Sequence, residues 1–129
     1  MSQNEYTTHC IRGVDMTLKT SNRSLSLCAR MNYETENLDF IDEASPGKVF
    51  FDLGACEGRF SIYAALKNLR VFSFEAETRN FKCLNDNISA NKLGNLVTIY
   101  NVAIGEGDGE GVINIGQPWE GGHQKVVSN

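Results

Sequence analysis

The sequence has no apolar run of membrane length. Its longest uninterrupted stretch is Ile62–Tyr63–Ala64–Ala65–Leu66, against the roughly 18 residues that a spanning helix needs. The polar start MSQNEYTTHC carries no signal-peptide core, so a cytoplasmic chain away from the membrane is expected. There is also no block of like charge. Twelve Lys+Arg against 16 Asp+Glu leave a formal charge of -4, which recommends neither a phosphate backbone nor an anionic lipid surface, and no nucleic-acid partner is expected. Cysteine is sparse and badly spaced for metal or redox work. Cys10, Cys28, Cys56 and Cys83 lie 18, 28 and 27 positions apart, matching no C-x-x-C pattern, so reduced, mostly buried thiols are the default and no metal is implied. His9 and His123 could join a metal site only if distant segments converged, and the plainer reading is a frayed polar end and a loop. What remains is 129 residues, 41% hydrophobic and 22% charged, the composition of one globular domain.

Along the chain, Val14–Thr20 and Ser24–Met31 alternate apolar and polar residues at period two, which predicts a small hairpin. Glu34–Ala44 carries Leu38, Phe40 and Ile41 among acids and predicts a short amphipathic helix ending before Ser45-Pro46-Gly47. Residues 1–47 are thus read as a leader outside the core. From Lys48 the pattern becomes strand, helix, strand, the signature of an α/β parallel sheet. Val49–Leu53 reads as a central strand covered on both faces, and Arg59–Leu69 as a nearly all-apolar helix. Arg70–Glu75 is the next buried strand. Thr78 is the expected cap of a helix bearing Phe81, Leu84 and Ile88, with Gly94 as its stop. Leu96–Ile104 reads as a third strand. Seven of the 12 glycines fall between Gly105 and Gly122, a turn-rich region around one further strand, Gly111–Ile115.

The chemistry is concentrated in Asp52-Leu53-Gly54-Ala55-Cys56-Glu57-Gly58. An acid ends a buried strand, and glycines follow two and six residues later at a helix entrance. Glycine suits such a loop because the backbone turns sharply and a side chain would hold a ligand away. In open α/β sheets, ligands bind beyond the carboxyl ends of the strands, where this loop would lie. A phosphate is a poor fit: Cys56 and Arg59 stand where G-x-G-x-x-G needs glycine, and the P-loop pattern is absent. A carboxylate there asks for a donor or a positive charge. Glu75, 23 residues after Asp52 at the tip of the next strand, has the usual offset of a ribose-binding acid. Together they favour an adenosine with a cationic amino-acid tail, S-adenosylmethionine.

Residues Val49 to Ala103, through FDLGACEGRFSIYAA, VFSFEAETRNFKCLNDNISANKL and VTIYNVAI, resemble the first half of an FkbM-type class I S-adenosylmethionine-dependent methyltransferase with a Rossmann-like sheet. The resemblance implies that Asp52, Gly54, Ala55 and Gly58 cradle the methionine part and that Glu75, followed by Ala76, supplies the ribose acid. Asn101, Val102 and Ala103 would lie near the adenine, and Asn87, Ile88 and Asn91 match an N-I-x-x-N step. Cys56 and Ala76 depart from the commoner Asn and Pro. The implied reaction is methylation of a hydroxyl on a small molecule or glycan. Singly, each position has a plainer reading: the glycines as a tight turn, Glu75 as a solvated strand end, Asn87 and Asn91 as an exposed helix face. Glu57 and Arg59 are read as solvated and outside the site.

A full core of this class needs about seven strands and six helices, roughly 156 residues, more than residues 48–129 provide. The expectation is therefore a partial methyltransferase domain over 48–129, its sheet truncated after three core strands, with a hairpin-and-helix leader before it. A bare strand edge would then invite self-association or a partner. Two other classes stay open: a non-catalytic interaction module, and a nicotinamide-binding oxidoreductase fragment.

Overall fold

The computed structural model describes residues 6–19, 34–115 and 124–128. Strands β1 (Tyr6–Ile11) and β2 (Val14–Lys19) form an antiparallel hairpin. Its two-residue turn, Arg12-Gly13, has positive φ at both positions (50° and 82°), the turn geometry that matches strand twist. Val14–Lys19 is thus a strand as predicted, but its partner is the polar segment before it. The other predicted partner, Ser24–Met31, lies outside the described residues, as do Cys28 and His123.

The hairpin is not outside the core. Met16 and Leu18 are buried in the same cluster as Ile62, Tyr63, Val71 and Leu84, and each such burial contributes about 1.5–3 kcal/mol. Polar groups fix the hairpin as firmly as apolar ones. Asn91 Oδ1 accepts from Thr17 N (2.8 Å) while Asn91 Nδ2 donates to Thr17 O (2.6 Å), and Asn87 Oδ1 accepts from Lys19 N (2.9 Å). Two helix side chains therefore do for β2 what a neighbouring strand would do, satisfying its backbone. The sequence reading of both asparagines as an exposed face is corrected: Asn87 is fully buried.

Helix α1 (Thr35–Asp42) buries Leu38 and Ile41. Then comes a β-α-β-α-β run: β3 (Val49–Leu53), α2 (Arg59–Leu66), β4 (Arg70–Phe74), α3 (Thr78–Ala90) and β5 (Val97–Tyr100). All three strands are parallel in the order β3-β4-β5, with Asp52 opposite Ser73 and Phe74 opposite Tyr100. Because the strands step in one direction and such crossovers are right-handed, both helices fall on one face. On that face Phe50, Val71, Val97 and Ile99 pack into the core. The other face is open. Phe51 and Leu53 are 62% and 60% exposed, and Phe51, Phe72, Phe74 and Tyr100 form a ladder of ring contacts across it. The expectation that β3 is covered on both faces is thus overturned among the described residues; continuous apolarity in a strand shows that a face wants cover, not that the described residues supply it.

Two helix ends also differ from expectation. The cap of α3 is Glu77, whose side chain accepts from Asn80 N, in place of Thr78. After α3 it is Lys92, not Gly94, that takes positive φ (58°). Beyond β5 the chain reaches β6 (Gly111–Ile115), predicted, which pairs antiparallel with β7 (Gln124–Ser128), not predicted. No helix among the described residues is long and apolar enough to cross a membrane.

Candidate functional site

The β3–α2 loop is a chain of backbone constraints. Gly54 N and Ala55 N both donate to Phe74 O, at 2.8 and 3.0 Å, so the end of β4 holds the loop's first turn. Cys56, at φ 54°, donates its N–H to Glu75 Oε1 at 2.8 Å. Gly58, at φ 96°, starts α2, and a Cβ placed there would lie 2.5 Å from Leu84 Cδ1. The two predicted glycines thus serve different needs. Gly58 is required by conformation and by the helix behind it. Gly54 (φ 77°) is required by conformation alone: a Cβ there would meet nothing within 4 Å, so the space beside it is open.

The two predicted acids share a face. Register puts Asp52 beside Ser73, and Glu75, two residues on, returns to the same side. Ser61 Oγ donates to Asp52 Oδ2 (2.6 Å) and lies 2.6 Å from Ser73 Oγ. Burial pushes the Asp52 carboxyl above its ordinary range; the Ser61 hydrogen bond opposes this, and the charges of Glu57 and Glu75 add to it. Glu75 is buried, accepting from Cys56 N through one oxygen and from Glu77 N through the other (3.0 Å). It is no solvated strand end. An ionised carboxylate has about four acceptor positions, so the two backbone bonds leave capacity for a ligand. Asn101 Nδ2 donates to Glu75 O (2.9 Å) and Ala76 O (3.1 Å); its amide fixes the strand-end turn. Val102 and Ala103 are exposed just after it.

Asp52, Gly54, Ala55, Gly58, Glu75, Ala76 and Asn101 therefore gather at the carboxyl ends of β3 and β4. Sequence reasoning missed Glu57 and Arg59, which are buried at 3% and 6% exposure. Arg59 pairs with Glu34 at 3.2 Å, and Asn87 Nδ2 donates to Glu57 O at 2.9 Å. No local signal distinguished them, since charged residues flanking a loop are ordinarily solvated. Among the described cysteines, Cys10 is exposed, Cys56 partly buried and Cys83 buried.

A three-stranded parallel sheet with both helices on one face and a glycine loop at its carboxyl end is part of the Rossmann-like fold of class I methyltransferases. The chain belongs to the family of tellurite resistance protein TehB, whose model matches residues 27–107. The motif resemblance and this match agree on class I S-adenosylmethionine-dependent methyltransferases and differ on the family within them. The chain is 40% identical over 68 residues to a tRNA (guanine(37)-N(1))-methyltransferase of Pediculus humanus subsp. corporis, covering 52% of this chain and 15% of that enzyme. It is 32% identical over 69 residues to the enzyme of the same name from Phytophthora infestans, covering 54% of this chain and 17% of that one. Among solved structures, M. jannaschii TYW2 in complex with AdoMet superposes with a TM-score of 0.52 at 21% identity, covering 80% of this chain and 45% of that one. The chain thus spans about a sixth of the length of the curated relatives it matches.

Proposed function

We propose that this chain binds S-adenosylmethionine across the β3–α2 loop and the end of β4 and serves methyl transfer. One observation carries the reading: a glycine loop at positive φ, with open space beside Gly54, lies at the carboxyl end of parallel strands whose two acids, Asp52 and Glu75, face the same side. The residues fit the cofactor. Gly54 and Ala55 leave room for the methionine part, Asp52 gives it a negative surrounding, and Glu75 has acceptor capacity for the ribose hydroxyls. Ala76, Asn101 and Val102 would border the adenine, with Asn101 holding the turn by its two amide bonds. When bound, the cofactor supplies an already activated sulfonium methyl. The chain's part is orientation, which can be worth about 7–11 kcal/mol of barrier in a well-aligned site.

Two acceptors are supported by different observations. The FkbM-like motifs and the charge of -4 favour a hydroxyl on a small molecule or glycan. The tRNA-methylating relatives favour a guanine nitrogen of tRNA. The exposed face and edge of β3 further support self-association or a protein partner. The test is binding of S-adenosylmethionine and NAD to the purified chain by calorimetry, followed by transfer of labelled methyl to tRNA and to a glycan panel. Preference for S-adenosylmethionine, weakened by Glu75→Gln, is expected. Preference for NAD would reject the reading in favour of an oxidoreductase module.

A further inference from the structure

Asn87 stands between two parts of the chain that do not pair with each other. Its side chain is fully buried. Oδ1 accepts from Lys19 N at the end of β2 (2.9 Å), while Nδ2 donates to Glu57 O in the β3–α2 loop (2.9 Å) and to Cys83 Sγ (3.7 Å). Lys19 and Glu57 lie 68 and 30 positions away along the sequence. The amide cannot be turned round, because its oxygen would then face a carbonyl and its nitrogen an N–H. One end therefore belongs to the hairpin and the other to the glycine loop.

The loop needs this bond. It is the hydrogen bond that Glu57 O receives among the described residues, and with Glu57 only 3% exposed, water has little access to replace it. A buried carbonyl left without a donor is costly. Glu57 O also belongs to the peptide that leads into Gly58, which starts α2 and backs onto Leu84 of α3. Thus β4 holds the loop in front, through Cys56 N and Glu75, and α3 holds it behind. The same helix carries β2: Asn91 serves both backbone groups of Thr17, and Asp86 pairs with the Lys19 ammonium.

We infer that Asn87 is a positioning residue for the cofactor loop, tying the loop's binding shape to the docked hairpin, so that β1 and β2 are a working part of the site. The inference rests on the reading of the site as an S-adenosylmethionine site. Asn87 acts through the main chain of Glu57. When the hairpin lifts, Oδ1 loses its donor, the amide relaxes, and Glu57 O loses its own donor with it. Coupling of this kind is reciprocal. An opening that abolishes cofactor binding is suppressed by one plus the ratio of free ligand to Kd, about 100-fold at a hundred times Kd. An opening that leaves the loop intact is not suppressed at all.

Amide hydrogen exchange of the full chain, without cofactor and with S-adenosylmethionine at a hundred times its calorimetric Kd, reads this directly. Without cofactor, Thr17 and Lys19 should exchange faster than Val71, whose N–H is bonded within the sheet; with it, both should slow at least tenfold. Equal exchange at all three without cofactor overturns the inference, since no separate hairpin opening then exists, and so does slowing of Thr17 and Lys19 by less than tenfold. Asn87→Ala, at the same multiple of its own Kd, should leave Thr17 slowed by less than twofold, although the Thr17 N–H keeps its partner on Asn91. Asn91→Ala should speed exchange at Lys19 without cofactor yet keep its cofactor-dependent slowing. A merely structural Asn87 would leave Thr17 fully responsive in Asn87→Ala, which overturns the inference; if that variant does not fold, the native chain decides. A native chain that does not bind S-adenosylmethionine overturns the cofactor reading itself, an outcome distinct from all of these.

Discussion

A methyl group added at Gly58 would stand 2.5 Å from Leu84 Cδ1 on a backbone whose φ of 96° already disfavours side chains. Leu84 is fully buried and has little room to give. Gly58→Ala is therefore expected to destabilise by roughly 2–4 kcal/mol, overpacking and left-handed strain acting together, whereas Gly54→Ala should cost only about 1 kcal/mol of strain. Urea melts of both, and of Gly58→Ala with Leu84→Ala, read the difference; additive losses in the double variant would deny the contact. Asp52 allows a prediction in pH. Its carboxyl is raised in the fold, so as pH climbs past the ordinary value of 3.8 the unfolded chain releases the proton first. Stability falls through that window, and the deficit persists at neutral pH. Asp52→Asn keeps an acceptor for Ser61 and should melt at or above the native temperature at pH 7, the advantage disappearing below about pH 4. A lower melting temperature at pH 7 would mean that the ionised carboxylate is stabilising.

At the scale of elements, the hairpin is attached through a polar clamp whose energetics differ from those of core packing. Asn91 satisfies both the N–H and the carbonyl of Thr17 (2.8 and 2.6 Å). Asn91→Ala would strand two backbone groups at the edge of β2 and is expected to cost about 2–4 kcal/mol, on the order of 1–3 per lost partner. Amide exchange provides the check: Thr17 and Lys19 should lose protection well before Val71 in the sheet, and uniform loss would show that hairpin and sheet open as one unit. A second attachment lies at the other end of the hairpin, where Arg12 bridges Asp39 and Asp42 of α1 and the buried Tyr63 donates to Asp42. Burial, with Asp42 as neighbour, pushes the Tyr63 phenol up to about 12.

At the scale of the whole molecule, the decisive feature among the described residues is a sheet with one covered and one exposed side. Val49, Phe51, Leu53 and Tyr100 are exposed, with Val102 and Ile104 continuing past the strand end, and β3 has no strand on its outer side among the described residues. An apolar face beside an unpaired edge is a template for association. Sedimentation is expected to show self-association rising with protein concentration. Phe51→Glu with Leu53→Glu should suppress it while leaving the melting temperature nearly unchanged, since both side chains already meet solvent. A chain that stays monomeric at all concentrations would show that the bare face is tolerated as it is.

The parallel β-α-β-α-β order, the glycine loop and both acids were legible in the sequence, because apolar periodicity and turn chemistry are local properties that neighbouring residues fix between them. Local patterns also placed Gly111–Ile115 correctly. They could not place what depends on distant partners. The strand Tyr6–Ile11 is polar and gains its structure from pairing with β2; Asn87 and Asn91 look like surface residues until β2 is laid on them; Glu57 and Arg59 look solvated until the α3 helix and Glu34 close around the loop. Nor could an apolar strand announce that, among the described residues, one of its faces is exposed. Backbone geometry follows from short stretches of chain, whereas burial of a polar group requires a partner from elsewhere, and only the folded arrangement brings that partner within reach.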